Sequence, residues 1–303
     1  MAEDYCELAN FSVPEVWKRN DSFDFSYVDL AVENGIATVT INRPEAMNAL
    51  NETVVNQLGL ALDKANSDDS VRTIVLDGAG KAFVAGADVK FFVDKIRADS
   101  FSDIYDFTAN GHVVQDKLES SSKTTIALTT GLALGGGLEL ALSCDYRIGT
   151  RKTQFRFPET SIGIFPGLGG TQRPARISGI PAARWAVLAG NFMDSKTAAD
   201  LGLVTNLVDI SEVESTIRTL DSNGKPENKY TGKPANPDSK VVQFANSFYS
   251  DENIATVLAG NCPEGFDSED KAVSRQMKSL SRTAPIALSL ANDLINAAGN
   301  PNL

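Results

Sequence analysis

At 303 residues and 42% hydrophobic content, the chain is long enough to bury one large core plus an appendage. Its 39 acidic against 28 basic side chains leave a net charge of -11, which argues against binding nucleic acid or an anionic lipid surface and obliges any anionic ligand to find a local basic patch. No apolar run approaches the roughly 20 residues of a membrane span, and Met1-Ala2-Glu3-Asp4-Tyr5 lacks the basic, apolar signature of a signal peptide, so a soluble, cytoplasmic protein without membrane partners is expected.

In chain order, Tyr27 to Leu30 and Ile36 to Ile41 alternate as hairpin strands across Glu33-Asn34-Gly35. A helix follows from about Glu52 to Ala65, then a strand at Thr73-Ile74-Val75-Leu76. Ala85-Gly86-Ala87-Asp88 reads as a tight turn into a helix containing Val89, Phe92 and Ile96. The single histidine, His112, falls in a helical stretch and reads as structural. It excludes a histidine-cluster metal site and leaves a hydrolase triad dependent on that one residue. Cys6, Cys144 and Cys262 are too widely spaced for a disulfide framework or a thiolate metal site, and Cys144 reads as a packing residue.

Thr124 to Thr129 reads as a buried strand, and Leu138-Glu139-Leu140-Ala141-Leu142 as a helix that begins inside Gly135-Gly136-Gly137. A helix N-terminus leaves about four amides unpaired and carries roughly half a positive charge, so this turn is suited to hold a developing oxyanion without a cationic side chain. Three glycines allow a substrate carbonyl close to the main chain. The same glycines are equally consistent with tight helix-sheet packing, and Glu139 with a first-turn acid stabilising the helix dipole.

A second glutamate lies twenty residues on, in Pro158-Glu159-Thr160, followed by the apolar Ile162-Gly163-Ile164-Phe165 and by Pro166-Gly167-Leu168-Gly169-Gly170. A carboxylate in that setting is expected to be buried, with its proton affinity raised. Two carboxyl groups in one cleft split their proton affinities, which suits proton transfer and water activation. The alternative is that Glu159 caps a turn or pairs with Arg156 or Arg173.

The recurrent strand, strand and helix units predict stacked coils rather than a doubly wound nucleotide-binding sheet; neither a Gly-x-Gly-x-x-Gly nor a Walker-type loop is present. Past Val204, the stretch from Asp221 to Pro237 is polar and dense in proline and glycine, and reads as a long loop or mobile insertion. Helical spacing returns from Glu269 to Asn296. The expected organisation is a lead-in over residues 1–26, a core over 27–210, and a C-terminal helical region over 211–303 with a polar insertion at about 221–270.

Four stretches in order carry a family resemblance: Asn42 to Leu50, Lys81 to Asp88, Gly131 to Asp145, and Pro158 to Arg173. The chain resembles the crotonase superfamily, the enoyl-CoA hydratases and isomerases. The resemblance implies an α/β fold, a spiral of repeated ββα units with a C-terminal helical region. It implies a thioester carbonyl held by the amides of Ala87 and Gly136, with Glu159 moving the proton at the alpha carbon and Glu139 handling the water that adds at the beta carbon. Gly135, Pro158 and Gly167 would line the pocket; Ala46 and the segment Ala85, Gly86, Asp88, Val89 and Lys90 would cradle the coenzyme A arm. Lys81 and Lys90 are candidates for its phosphates, though simple solvation accounts for either lysine equally well.

By the same resemblance, the expected activity is reversible hydration of a 2-enoyl-CoA, crotonyl-CoA or another short-chain substrate, by a homotrimer or dimer of trimers. No metal or cofactor is expected, coenzyme A being part of the acyl-CoA substrate. Isomerisation of the double bond or thioester hydrolysis of a 3-hydroxyacyl-CoA are the alternatives. Arg156, Phe157 and Pro174 depart from the usual pattern. The C-terminal region is longer than in a compact hydratase, as it is in hydroxyisobutyryl-CoA hydrolases, but those relatives lack a glutamate after the triple glycine.

Overall fold

The computed structural model describes residues 26–298; the lead-in expected over residues 1–26 lies outside them except for its last residue. The hairpin strands β1 (Val28–Glu33) and β2 (Ile36–Ile41) are joined by Asn34 and Gly35, both at positive φ (53° and 82°), the geometry of a two-residue turn whose twist matches the strands. β2 alternates, with Ala37, Val39 and Ile41 inward.

Next come α1 (Glu52–Ser67), β3 (Thr73–Gly78), β4 (Ala82–Ala85), α2 (Val89–Arg97), α3 (Phe101–Glu119), β5 (Thr124–Thr129), β6 (Leu132–Leu134), α4 (Gly136–Ser143), β7 (Tyr146–Gly149) and β8 (Gln154–Arg156). In each strand pair the first member joins one sheet and the second joins another. The larger sheet runs β1-β2-β3-β5-β7-β10, where β10 is Asn206–Leu207; the smaller runs β4-β6-β8-β9, where β9 is Met193–Asp194. Pairing is parallel from β2 through β10 and from β4 through β8, as a right-handed crossover spiral demands.

The larger sheet is covered on both faces, which explains the unbroken apolar runs in its central strands. Ile74, Leu76 and Ala127 point into the main core with Leu58 and Leu62 of α1. Val75, Ile126 and Ile148 face the other way, under Val213 and Leu220 of α8 (Val213–Asn223). Each such aliphatic side chain contributes about 1.5–3 kcal/mol on burial.

Short helices α5 (Arg173–Ser178), α6 (Ile180–Val187) and α7 (Ser195–Asp200) lead into the C-terminal region. The stretch read as one long polar insertion is in part helical: α8 runs through Asn223, and α9 (Lys240–Phe248) and α10 (Ile254–Leu258) follow. Phe244, Phe248 and Tyr249 form an aromatic cluster with Phe266, and Phe248 and Tyr249 are fully buried. α8 and α9 each bury only one face, and α10 is only five residues long, which hid them in a polar stretch. α11 (Lys271–Leu280) and α12 (Pro285–Ala298) complete the layer; α12 packs on α6.

Candidate active site

The smaller sheet explains how distant motifs meet. Ala85, Leu134 and Arg156 stand side by side at the carboxyl ends of the parallel strands β4, β6 and β8. The loops that leave those three ends carry Ala87, Gly136 and Glu159. Loops at the carboxyl edge of parallel strands are a common place for a ligand site, because they converge on one crevice.

Ala87 is aligned by a single bridge: the amide of Leu50 donates to the Gly86 carbonyl and the amide of Asp88 to the Leu50 carbonyl, both at 2.8 Å. In that ladder the amide of Ala87 itself points away from Leu50. A β-carbon placed on Gly136 would lie 3.8 Å from the Ala87 nitrogen, so the two amides are neighbours. Gly136 is the first residue of α4, where the helix geometry leaves the N–H without an intrahelical acceptor.

The three glycines do three different things. Gly135 has φ 46° and ψ -124°, and a β-carbon there would stand 2.4 Å from Oε1 of Glu159. On Gly136 a β-carbon would meet only ordinary contacts, at 3.4 Å from Leu168 and 3.5 Å from Leu50. On Gly137 it would be 2.1 Å from the carbonyl oxygen of Val84, which is the tight helix-strand packing raised as the plain alternative. That alternative therefore holds for one glycine of the three.

Glu139 and Glu159 are both buried, at 2% and 8% exposure, and close enough for the charge of Glu139 to raise the proton affinity of Glu159. Their hydrogen bonding is unequal. Oε1 of Glu139 accepts from the amides of Leu168 and Gly170, each at 2.7 Å, whereas Oε2 of Glu159 is buried without a partner. Burial pushes Glu139 up to about 7, against the pull of those two amides and of Arg173. Burial pushes Glu159 well up too, the neighbouring Glu139 adds to it, and Arg156 opposes it. A single proton shared by the pair rests on Glu159, since the ionised form is the one that two amide donors stabilise.

Neither arginine pairs with Glu159 among the described residues. Arg156 donates to the carbonyl of Gly190 at 2.8 Å and lies over the ring of Phe192, while Arg173 bonds Glu119. The ion-pair alternative for Glu159 is not what the structure shows. Cys144 is fully buried, with its thiol pushed up to about 12 by that burial.

The proposed coenzyme A cradle is assembled by backbone pairing: the amide of Ala85 donates to the carbonyl of Met47, beside Ala46, and Leu50 spans Gly86 and Asp88. Val89, Lys81 and Lys90 are exposed, Pro158 is half-buried, and a side chain on Gly167 would enter nearly open space. The side chain of Asp88 caps α2 at the Lys90 amide and takes the guanidinium of Arg43 at 2.9 Å, which shapes the loop.

Three participants escaped the sequence reading. Asn48, fully buried at φ 60°, donates to the carbonyls of Ala79, Ala82 and Phe83 and thereby pins the cradle to the β3-β4 connection. The amides of Leu168 and Gly170 clamp Glu139, and Arg173 holds the turn that carries them through the carbonyl of Leu168 at 2.7 Å. An asparagine and an arginine beside glycine-rich motifs were the available signals, but the carbonyls that Asn48 reaches are 31–35 residues away and the side chains that Arg173 reaches are 54 and 58 residues away.

Comparison with known proteins shows the family and the fold. The family model described as enoyl-CoA hydratase/isomerase matches residues 36–303. A probable enoyl-CoA hydratase of Bacillus subtilis is 34% identical over 246 residues, covering 80% of this chain and 92% of the relative. A short-chain-enoyl-CoA hydratase of Clostridium acetobutylicum is 36% identical over 198 residues, covering 65% and 74%. In fold, the chain is similar to the crystal structure of a carnitinyl-CoA dehydratase from Mycobacterium thermoresistibile, at TM-score 0.75 over 90% of this chain and 80% of that one, with 23% identity. With the expected ββα spiral present and the family match spanning nearly all of it, the chain belongs to the enoyl-CoA hydratase/isomerase family.

Proposed function

We propose that the protein is an enoyl-CoA hydratase, adding water reversibly across the 2,3 double bond of a 2-enoyl-CoA to give a 3-hydroxyacyl-CoA. The observation that carries this reading is the pair of buried carboxyls with unequal hydrogen bonding beside two neighbouring backbone amides. Hydration needs one group to take a proton from water and another to give one to carbon, and the pair holds one proton in the required place.

The thioester oxygen sits on the amides of Ala87 and Gly136, which stabilise the negative charge it gains; losing one such donor typically costs about a hundred- to a thousandfold in rate. Glu139, ionised, takes a proton from water as the oxygen bonds to the beta carbon and the π electrons move toward the thioester. Glu159 then gives its proton to the alpha carbon. The pair ends with its one proton on the other carboxyl, so its total charge is unchanged, and proton exchange through water resets it. Coenzyme A arrives as part of the substrate, and the scheme calls on no metal or redox group.

The name of the Clostridium relative supports short-chain substrates such as crotonyl-CoA. We place the protein in the cytoplasm as a homotrimer or dimer of trimers, on the family resemblance; among the described residues no helix is long and apolar enough to cross a membrane.

Loss of enoyl-thioester absorbance with acyl chains of graded length tests the reading, in wild type and in Glu139→Gln and Glu159→Gln. Each substitution is expected to lower turnover at least about a hundredfold. Full hydration by either variant sinks the two-carboxylate mechanism, and loss in Glu159→Gln alone points to isomerisation.

A further inference from the structure

The polar stretch between α8 and α9 attaches, residue after residue, to the three helices that build the Glu139 site. Lys225 donates to the carbonyl of Ser121 just past α3, at 2.7 Å. Lys229 donates to the carbonyl of Ser143, the last residue of the helix that carries Glu139, at 2.8 Å. The amides of Gly232 and Lys233 donate to the carbonyls of Arg176 and Ile177 in α5, at 2.7 and 3.1 Å. Between these anchors the stretch lines a cavity of about 460 Å³ against β7, so its hold on the domain rests largely on these polar bonds.

Two of its side chains reach further in. Lys229 lies 3.4 Å from Oε1 of Glu119, and the hydroxyl of Tyr230 donates to the same carboxylate. Glu119 in turn takes a two-point contact from Arg173, Nε at 3.1 Å and Nη2 at 3.3 Å. The remaining guanidinium nitrogen of Arg173 donates to Gln115 at 2.9 Å and to the Leu168 carbonyl at 2.7 Å. Gly169, at φ 95°, leaves room for that guanidinium, since a β-carbon there would lie 1.9 Å from Nη1. The turn from Leu168 to Gly170 is thus gripped from both sides, by Arg173 at a carbonyl and by Glu139 at two amides.

We propose that Arg173 and Glu119, locked by Lys229 and Tyr230, are positioning residues that hold the Leu168–Gly170 turn against the carboxylate of Glu139. The Lys225–Asn236 stretch then belongs to the working parts of the active site, as the strap that keeps its water-handling carboxylate aimed and ionised.

Charge supports the geometry. Burial pushes Glu119 up, but Arg173, Lys229 and Tyr230 together overcome it and hold Glu119 down at about 2, so the acid end of the relay stays ionised. The charged groups around Glu139 are Glu159 across the cleft, Arg173 on α5 and, beside Arg173 on α3, His112, Asp116 and Glu119; Arg156 faces Glu159. Among these, Arg173 is the cation that favours the ionised form of Glu139.

The test measures crotonyl-CoA hydration and, separately, the titration of glutamate carboxyl carbons by NMR, with Glu139→Gln assigning the resonance. The kinetic arm rests on the hydratase reading; the NMR arm does not. In Lys229→Met/Tyr230→Phe, kcat is expected to fall about 3- to 30-fold, with KM held within about twofold. In Arg173→Met the Glu139 resonance titrates at higher pH than in wild type, and Arg173→Lys restores part of the difference. The proposal is overturned if kcat and the Glu139 titration match wild type while only the melting temperature drops. Should Arg173→Met not fold, the Lys229/Tyr230 variant decides by its kcat and its Glu139 titration. Should wild type hydrate no enoyl-CoA, the hydratase reading fails and the NMR titrations alone decide the relay.

Discussion

Oε1 of Glu159 lies 2.4 Å from the point where a β-carbon on Gly135 would stand, so the carboxyl and any side chain at position 135 are mutually exclusive. Gly135 is thereby part of the acid site as well as the cap of the helix that begins at Gly136. One position both turns the chain at positive φ, where side chains are strained, and admits a carboxyl group against the backbone.

Substituting the three glycines singly separates their tasks. Gly135→Ala adds about 1–2 kcal/mol of backbone strain and displaces Glu159, so activity and stability fall together. Gly137→Ala drives a methyl into the Val84 carbonyl at 2.1 Å and is expected to fold poorly with the site chemistry otherwise untouched. Gly136→Ala meets no contact under 3.4 Å and gains up to about 1 kcal/mol of helix propensity. Its methyl nonetheless stands beside the Ala87 amide, so hydration is expected to fall about tenfold or more without loss of melting temperature. Equal activity in Gly136→Ala and wild type removes the paired amides from the mechanism.

The pH profile of kcat/KM follows from where the proton rests. Hydration requires Glu139 ionised and Glu159 protonated, so the rate rises with pH as Glu139 loses its proton, near 7, and falls again as Glu159 ionises. The two limbs belong to the pair rather than to either residue. In Glu159→Gln the group that ionises on the alkaline side is gone, and residual activity is expected to keep its acid limb and lose its alkaline limb. A flat profile from pH 5 to 9 contradicts this assignment.

Stability is expected to move opposite to activity at Glu159. Its folded-state proton affinity is raised above the unfolded value, so the native state binds more protons than the unfolded chain and loses stability as pH rises through the folded titration. Glu159→Gln removes that ionisation. It should melt higher than wild type at alkaline pH, by about 2–4 °C for each kcal/mol recovered, with the gap shrinking at pH 5. Thermal unfolding at the two pH values checks the sign. A variant that melts lower than wild type at both contradicts the burial of an unpartnered carboxyl.

Much was legible along the chain where the information is local. The Asn34-Gly35 turn, the strand at Thr124 to Thr129 and the helix opening inside the triple glycine depend on neighbours within a few residues, and the structure places them as expected. The helices of residues 240–258 were missed because their packing partners, among them Phe266 and the α6 helix, are remote. Nothing local announces that Asp88 is tied to Arg43, 45 residues earlier.

By itself the sequence determined which residues are candidates for the chemistry: two glutamates, two amides and the glycines around them. It also determined the repeating strand, strand and helix rhythm, because hydrophobic period and turn chemistry are local properties. Tertiary structure decided what those residues do together. Parallel pairing of β4, β6 and β8 puts three loops on one edge, and unequal hydrogen bonding from Leu168 and Gly170 separates two otherwise identical carboxyls. Proton affinity depends on burial and on donors brought from 29 and 31 residues away, and the chain acquires both only when it closes on itself.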